Sequence, residues 1–235
     1  MKKSLFTTGC CVAALMSATQ VNADIILSVD GNLGAGIVNS TNDDLLRAQN
    51  LQITAANGGG TLILPSDTNI ITQNTTTTID IEAGSLIVER NTFLGNDGNG
   101  NLTFNLSGGV AQFDDDLGIG RDEATTLVTI SGGAFNVDGV LSFDVPGGAG
   151  GVRPGFGTID FTAGSTGSLT VAGANAATFE AFFDAGDITF DGGAAGTFGE
   201  LFQVSGSTLS VVPEPASLAL VGLGALAMAG RRRRA

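Results

Sequence analysis

The chain contains no histidine, tryptophan or tyrosine. Its two cysteines, Cys10 and Cys11, and its two lysines, Lys2 and Lys3, all lie before residue 24. From Asp24 onward this excludes histidine-dependent triads, Schiff-base lysines, cysteine nucleophiles, disulfides, and zinc held by imidazole or thiolate. Sugar stacking on Trp or Tyr is excluded too, leaving fourteen phenylalanines as the only aromatics. Positive charge is scarce: between Asp24 and Val212 only Arg47, Arg90, Arg121 and Arg153 face 22 acids. Such a field repels phosphate backbones, so nucleic acid is not an expected partner. Two readings of the acidity stay open, solubility outside the cell and binding of a divalent cation.

The first 23 residues, MKKSLFTTGCCVAALMSATQVNA, have the order of a secretory signal peptide. Lys2 and Lys3 form the charged region, Leu5 to Met16 the apolar region, and Val21-Asn22-Ala23 the small-residue cleavage site. Cleavage between Ala23 and Asp24 is expected, with the Sec translocon and signal peptidase as partners. The apolar run mostly follows the cysteines rather than preceding them, which argues against a lipoprotein.

The other end reads VVPEPASLALVGLGALAMAGRRRRA. Residues 216–230 carry no charge and suit a transmembrane helix. Fifteen residues span only about 22 Å as a helix, short of the ~30 Å hydrocarbon core. Pro213, Glu214 and Pro215 suit the start of that helix, where proline is tolerated and a carboxylate meets the positive dipole end. Arg231, Arg232, Arg233 and Arg234 hold the far end in the cytoplasm as a stop-transfer cluster. Val212-Pro213-Glu214-Pro215, the apolar run and the arginines, in that order, resemble the PEP-CTERM protein-sorting signal of Gram-negative bacteria. The resemblance implies recognition by exosortase, a membrane cysteine protease that removes the tail. It also implies an association with surface or extracellular polysaccharide. A plain, unprocessed single-pass anchor is the alternative.

Between these ends, residues 24–210 form the body. Short alternating runs such as LTFNL, TLVTI and GTIDFTA, bounded by Gly and Asn, predict strands joined by turns. Leu102–Gly120 aligns without gaps on Thr126–Asp144, a shift of 24 residues with five identities. These include Ser107/Ser131, the following Gly-Gly pairs, Asp114/Asp138 and Leu117/Leu141. Diverged copies begin at Ile79 and Ile159. A unit this small cannot bury its apolar face alone, whereas stacked units bury a continuous core. An all-β, solenoid-like body follows, with Gly-Gly at the corners where positive φ is cheap. An antiparallel β-sandwich of consecutive hairpins gives the same pattern and remains the alternative. Asp43 to Thr68, DDLLRAQNLQITAANGGGTLILPSDT, resembles the opening of pectate-lyase-like right-handed parallel β-helices. That resemblance implies an amphipathic capping helix, capped by Asn42 or Asp43 and ended at Asn57-Gly58, before a Gly-Gly-Gly-Thr strand. Ile53-Thr54 disfavour a helix, so NLQITA is read alternatively as a strand.

Two stretches carry the remaining chemistry. Asp114, Asp115 and Asp116 offer paired carboxylates of the kind that hydrolyse glycosidic bonds, and pectinase-like β-helices use aspartates this way. Those families also carry His and Lys, which the body lacks. A polysaccharide lyase or glycosidase is therefore the alternative function, and it needs these carboxylates in an open cleft beside a basic group such as Arg121. GNDGNGN, residues 95–101, alternates oxygen ligands with glycine, so Asp97 joins Asp114–Asp116 as a calcium candidate, although the ordinary chemistry of a tight turn is the preferred reading. No other cofactor is expected. The leading expectation is a non-enzymatic, exported surface or matrix protein, transiently anchored in the inner membrane and then released by exosortase to the cell surface.

Overall fold

The structure is a computed structural model that describes residues 51–54, 59–64, 76–96, 100–121, 123–145 and 156–213, with 25–27 and 37–39 by backbone alone. The signal peptide with its Ala23–Asp24 junction, the capping-helix residues from Asn42 to 50, Arg47, Asp97, Arg153, and the tail from Glu214 through the span 216–230 and Arg231–Arg234 lie outside them.

The body is an all-β parallel solenoid of about four turns. Strands β1 (Ile25–Leu27), β2 (Ile37–Asn39), β3 (Leu51–Ile53) and β4 (Thr61–Leu64) lead into three full coils. The first contains β5 (Thr76–Ile81), β6 (Ser85–Val88) and β7 (Thr92–Asn96). The second contains β8 (Asn101–Leu106), β9 (Val110–Phe113) and β10 (Leu117–Arg121). The third contains β11 (Thr125–Ile130), β12 (Ala134–Val137) and β13 (Leu141–Val145). A further turn begins with β14 (Phe156–Phe161) and β15 (Ser168–Val171). Equivalent strands stack into three sheets: β3-β5-β8-β11-β14 in one, β4-β6-β9-β12-β15 in the next, and β7-β10-β13 in the third.

The stacking register matches the sequence repeat. Phe104 lies opposite Val128, Val110 opposite Ala134, and Leu117 opposite Leu141, each 24 residues apart. Ile79 and Ile159 extend the same row on either side, so both diverged copies are coils. Every one of these pairings is parallel, which replaces the sandwich alternative: coils of nearly equal length stack, whereas consecutive hairpins would pair antiparallel. The first coil is one residue longer than the second, since Asn96 lies opposite Arg121, 25 residues on, and Asn101 opposite Thr125, 24 residues on. Of the two readings of NLQITA the strand holds. Leu51 and Ile53 point inward, fully buried, and pair with Ile79 and Ile81.

Alternation explains the core. Strands β5, β8 and β14 share one pattern, with every second side chain buried and the others facing out. Phe104, Phe113 and Phe135 fill the interior, with Phe135 meeting Phe104 edge-on at 5.6 Å and Phe113 at 5.1 Å. The corners turn as expected: Gly109 and Gly133 of the Gly-Gly pairs, and Gly84 of Ala83-Gly84 in the first coil, have φ of 68°, 74° and 79°. Each corner is hydrogen-bonded to the one below, Val110 N–H donating to the Gly84 carbonyl and Ala134 N–H to that of Gly109.

After β15 the pattern breaks and the stack is closed. Helix α1 (Ala176–Ala185) starts at Asn175, whose side chain accepts from the Thr178 N–H, and ends at Gly186 with φ 85°. Strand β16 (Ile188–Phe190) adds to β14. Helix α2 (Phe198–Leu201) leads into β17 (Phe202–Ser205), which turns back as β18 (Thr208–Val211). Strand β18 pairs antiparallel with both β15 and β17. Phe202 sits at the centre of this cap, with the rings of Phe161, Phe183, Phe190 and Phe198 between 5.4 and 6.2 Å from its own. A reversed strand and an aromatic cluster cover the apolar end that a parallel stack otherwise leaves open.

Candidate functional site

The tail leaves the body at β18. Val211 is the last residue of that strand and pairs with Phe202. Val212 still belongs to the fold, because its N–H donates to the Leu201 carbonyl at 2.9 Å. Pro213 is exposed, so Val212 is half-buried against the cap and the next residue is in solvent. No linker separates the folded cap from Pro213-Glu214-Pro215. At this root a cavity of about 500 Å³ opens between the Gly164–Gly167 corner, Phe190, Gln203 and Ser210–Pro213. Its lining carries hydroxyls and an amide but no charge. The cap, and with it the pinning of Val212, was not anticipated from the sequence. The signal for it is the density of phenylalanine from Phe179 to Phe202, six residues in a stretch without the coil's alternation.

The aspartate cluster follows β9 in a turn. Asp114 N–H donates to the Val88 carbonyl, continuing the ladder to the coil below. Asp115 accepts the Asp116 N–H at 3.0 Å, and the Asp116 carboxylate accepts the Val140 N–H of the next coil at 2.7 Å. Asn91 from the coil below also accepts the Asp116 N–H. These contacts make the cluster a corner brace between coils. Arg121 lies at the far end of β10, roughly 16 Å further along at about 3.3 Å per residue. Its guanidinium stacks 4.4 Å from the centre of the Phe93 ring. Carboxylates and arginine are therefore not brought together. Among the described residues no group of three or more acidic, histidine or cysteine side chains could hold a metal ion.

The outer face of the β3–β16 sheet carries a regular polar array. One row runs Gln52, Asp80, Asn105, Thr129, Asp160, Thr189 across six successive strands. Its members are tied to one another: Asn105 donates to Asp80 at 2.7 Å, and Thr189 donates to Asp160 at 2.7 Å. The neighbouring row holds Thr78, Thr103, Leu127 and Thr158. Two of the three large apolar side chains most exposed among the described residues stand on this face, Phe156 at 62% and Leu127 at 41%. With parallel strands ~4.8 Å apart, each row is a ladder of hydroxyl, amide and carboxylate groups along the solenoid axis.

Near the cap, Asp187 is partly buried, which raises its pKa, and the Asp144 carboxylate raises it further. For an acid raised in the folded state, the ionised form is the disfavoured one. The penalty is therefore present above the folded pKa and disappears as pH falls through it. Asp187→Asn should stabilise the fold near neutral pH, and the gain should shrink in melts at about pH 4, close to ordinary carboxyl values.

The root of the tail coincides with the start of a known signal. Residues 211–234 match the family model of the PEP-CTERM protein-sorting motif. No curated protein and no solved structure matches the chain. Among the described residues no helix is long and apolar enough to cross a membrane. The chain thus carries a PEP-CTERM sorting signal that begins in the last strand of its solenoid body, and this signal implies an exosortase as processing partner and secretion through a transient membrane anchor.

Proposed function

We propose that this is an exported, non-enzymatic surface or matrix protein whose solenoid body associates with exopolysaccharide after exosortase removes the tail. The sorting motif carries this reading. The expected signal peptide 1–23 supplies Sec export, the span 216–230 with Arg231–Arg234 arrests the chain in the inner membrane, and Pro213-Glu214-Pro215 presents it to the protease. Three residues reach at most about 10 Å, so before processing the cap stands against the bilayer surface. The coil is taken as right-handed, the hand of nearly all parallel crossovers within a sheet.

Two features support a structural rather than a catalytic role. The Asp115 and Asp116 carboxylates accept backbone N–H groups that build a corner, which commits these two carboxylates to the fold. The ladder on the β3–β16 face offers paired hydroxyls and amides beside exposed Phe156, a surface suited to a neutral glycan running along the axis. Calcium is not required by this role.

The test is fractionation of the producing cells into inner membrane, extracellular matrix and free medium. The body is expected in the matrix fraction and in free medium once the polysaccharide is enzymatically digested. Recovery of the full-length chain in the inner membrane would instead mark an unprocessed single-pass protein.

A further inference from the structure

The turn that begins with β14 makes its first corner differently from the coils below. Between Leu106 and Val110, and between Ile130 and Ala134, three residues suffice, Ser-Gly-Gly in both. The same two ladders continue upward, with Phe161 on Ile130 and Ser168 on Ala134. Here residues 162–167 make the corner, so it carries three residues that stacking does not require. Ordering them costs chain entropy, and insertions in a repeat array often lie on its binding face. The loop is held in place: the Ser165 N–H donates to the Thr162 carbonyl, and the Thr166 N–H to the Ser131 carbonyl of the coil below. The Gly167 N–H donates to the Ser165 hydroxyl at 3.1 Å.

This loop is one wall of the cavity at the cap, and β16, β17 and β18 supply the rest. At about 500 Å³ it has the size of a small-ligand pocket. Its polar side chains are Ser165, Thr166, Gln203 and Ser210, and the Gln203 amide donates to the Ser210 hydroxyl at 3.2 Å. That pair still presents the amide oxygen as an acceptor and the Ser210 O–H as a donor. Half-buried Phe190 adds apolar surface. From residue 156 to 213 there are six acids and no basic residue. An anionic ligand would enter against that field with no cation to receive it. The lining fits an uncharged molecule that alternates hydroxyls with C–H faces.

Resting on the exopolysaccharide reading above, we infer that this cavity is a subsite for a neutral sugar residue of that polysaccharide. None of its residues belongs to the ladder on the β3–β16 face, so it is a second point of contact. Thr166 and Gln203 hydrogen-bond sugar hydroxyls, and Phe190 covers a C–H face.

The test takes the protein purified from the producing cells and short oligosaccharides released by partial hydrolysis of the cells' own matrix polysaccharide. Anion exchange divides these into a neutral and an acidic fraction. Calorimetric titration should show tight binding of the neutral fraction alone. Gln203→Ala and Thr166→Val, both at exposed side chains, should each weaken it roughly three- to tenfold, the range for one hydrogen-bonding side chain. Glu180→Gln, exposed on α1 and outside the lining, should leave it unchanged. Neutral binding that survives both cavity substitutions, or acidic binding as tight as neutral, overturns this inference and leaves the polysaccharide reading standing. Binding of neither fraction also overturns it, and the polysaccharide reading falls as well if the protein fails to sediment with the undigested polymer.

Discussion

Phe135→Ala should lower the unfolding free energy by about 3–5 kcal/mol, the range for removing a fully buried phenylalanine from a core. Phe135 is held by two ring contacts, one across the coil to Phe104 and one to Phe113 in the strand beside it. The two partners come from the coil below, so the substitution opens a cavity at the junction between turns. Neighbouring side chains cannot collapse into it, because the backbone around them is fixed by parallel ladders on either side. Urea titration of the purified body measures the loss. Because Phe104 and Phe135 touch, the double Phe104→Ala/Phe135→Ala variant should lose less than the sum of the singles. Strict additivity would mean that the coils do not share one core.

Gly133→Ala should be nearly as damaging, and Gly173→Ala is its control. Both glycines have φ of 74°. Alanine at such a backbone costs roughly 1–2 kcal/mol wherever it occurs. At Gly173 nothing lies within 4 Å of the added methyl. At Gly133 the methyl would stand 2.6 Å from the Gly109 carbonyl oxygen, the same oxygen that accepts the Ala134 N–H. That oxygen cannot retreat without breaking the corner ladder, so crowding should add roughly 1–3 kcal/mol more. Melts of the two variants side by side separate backbone conformation from coil-to-coil contact. Equal losses would show that the corners are not in close approach.

Much of this architecture is written in local patterns. The 24-residue shift between Leu102–Gly120 and Thr126–Asp144 is also the distance between stacked strands, because a coil can add to the one below only in full register. Gly-Gly marks the corners because both positive φ and close approach demand it. Parallel stacking was the leading reading because the 24-residue repeat calls for stacked units, while alternation alone looks the same in a sandwich, where only the pairing partner differs. The strand at Leu51–Ile53 was hard to separate from a helix for a related reason, three residues being too few to display a period. The cap was missed because it abandons the repeat: its stability comes from rings gathered around Phe202 from positions 161 to 202, a long-range packing with no spacing to read.

The candidate site divides in the same way. Val212-Pro213-Glu214-Pro215 and the arginines were legible, being a linear signal read by another protein rather than by this fold. The fact that Val212 remains hydrogen-bonded to Leu201 depends on the cap and was hidden with it. Asp114–Asp116 looked like chemistry because three carboxylates in a row are rare. In the structure Asp115 and Asp116 face backbone N–H groups, one in the same turn and one in the next coil. A corner of stacked backbone needs such acceptors. The ladder from Gln52 to Thr189 crosses six strands, so its members are scattered over the sequence and meet only through the register.

The central claim is that the solenoid is delivered by processing of its tail. The most direct test is the intact mass and cellular fraction of the mature protein, wild type beside a variant with Pro213, Glu214 and Pro215 all changed to Ala. The expected result is a wild type that has lost Arg231–Arg234 and lies outside the inner membrane, with the variant full-length and membrane-bound. If both keep the arginines and stay in the membrane, the tail is only an anchor and the account fails.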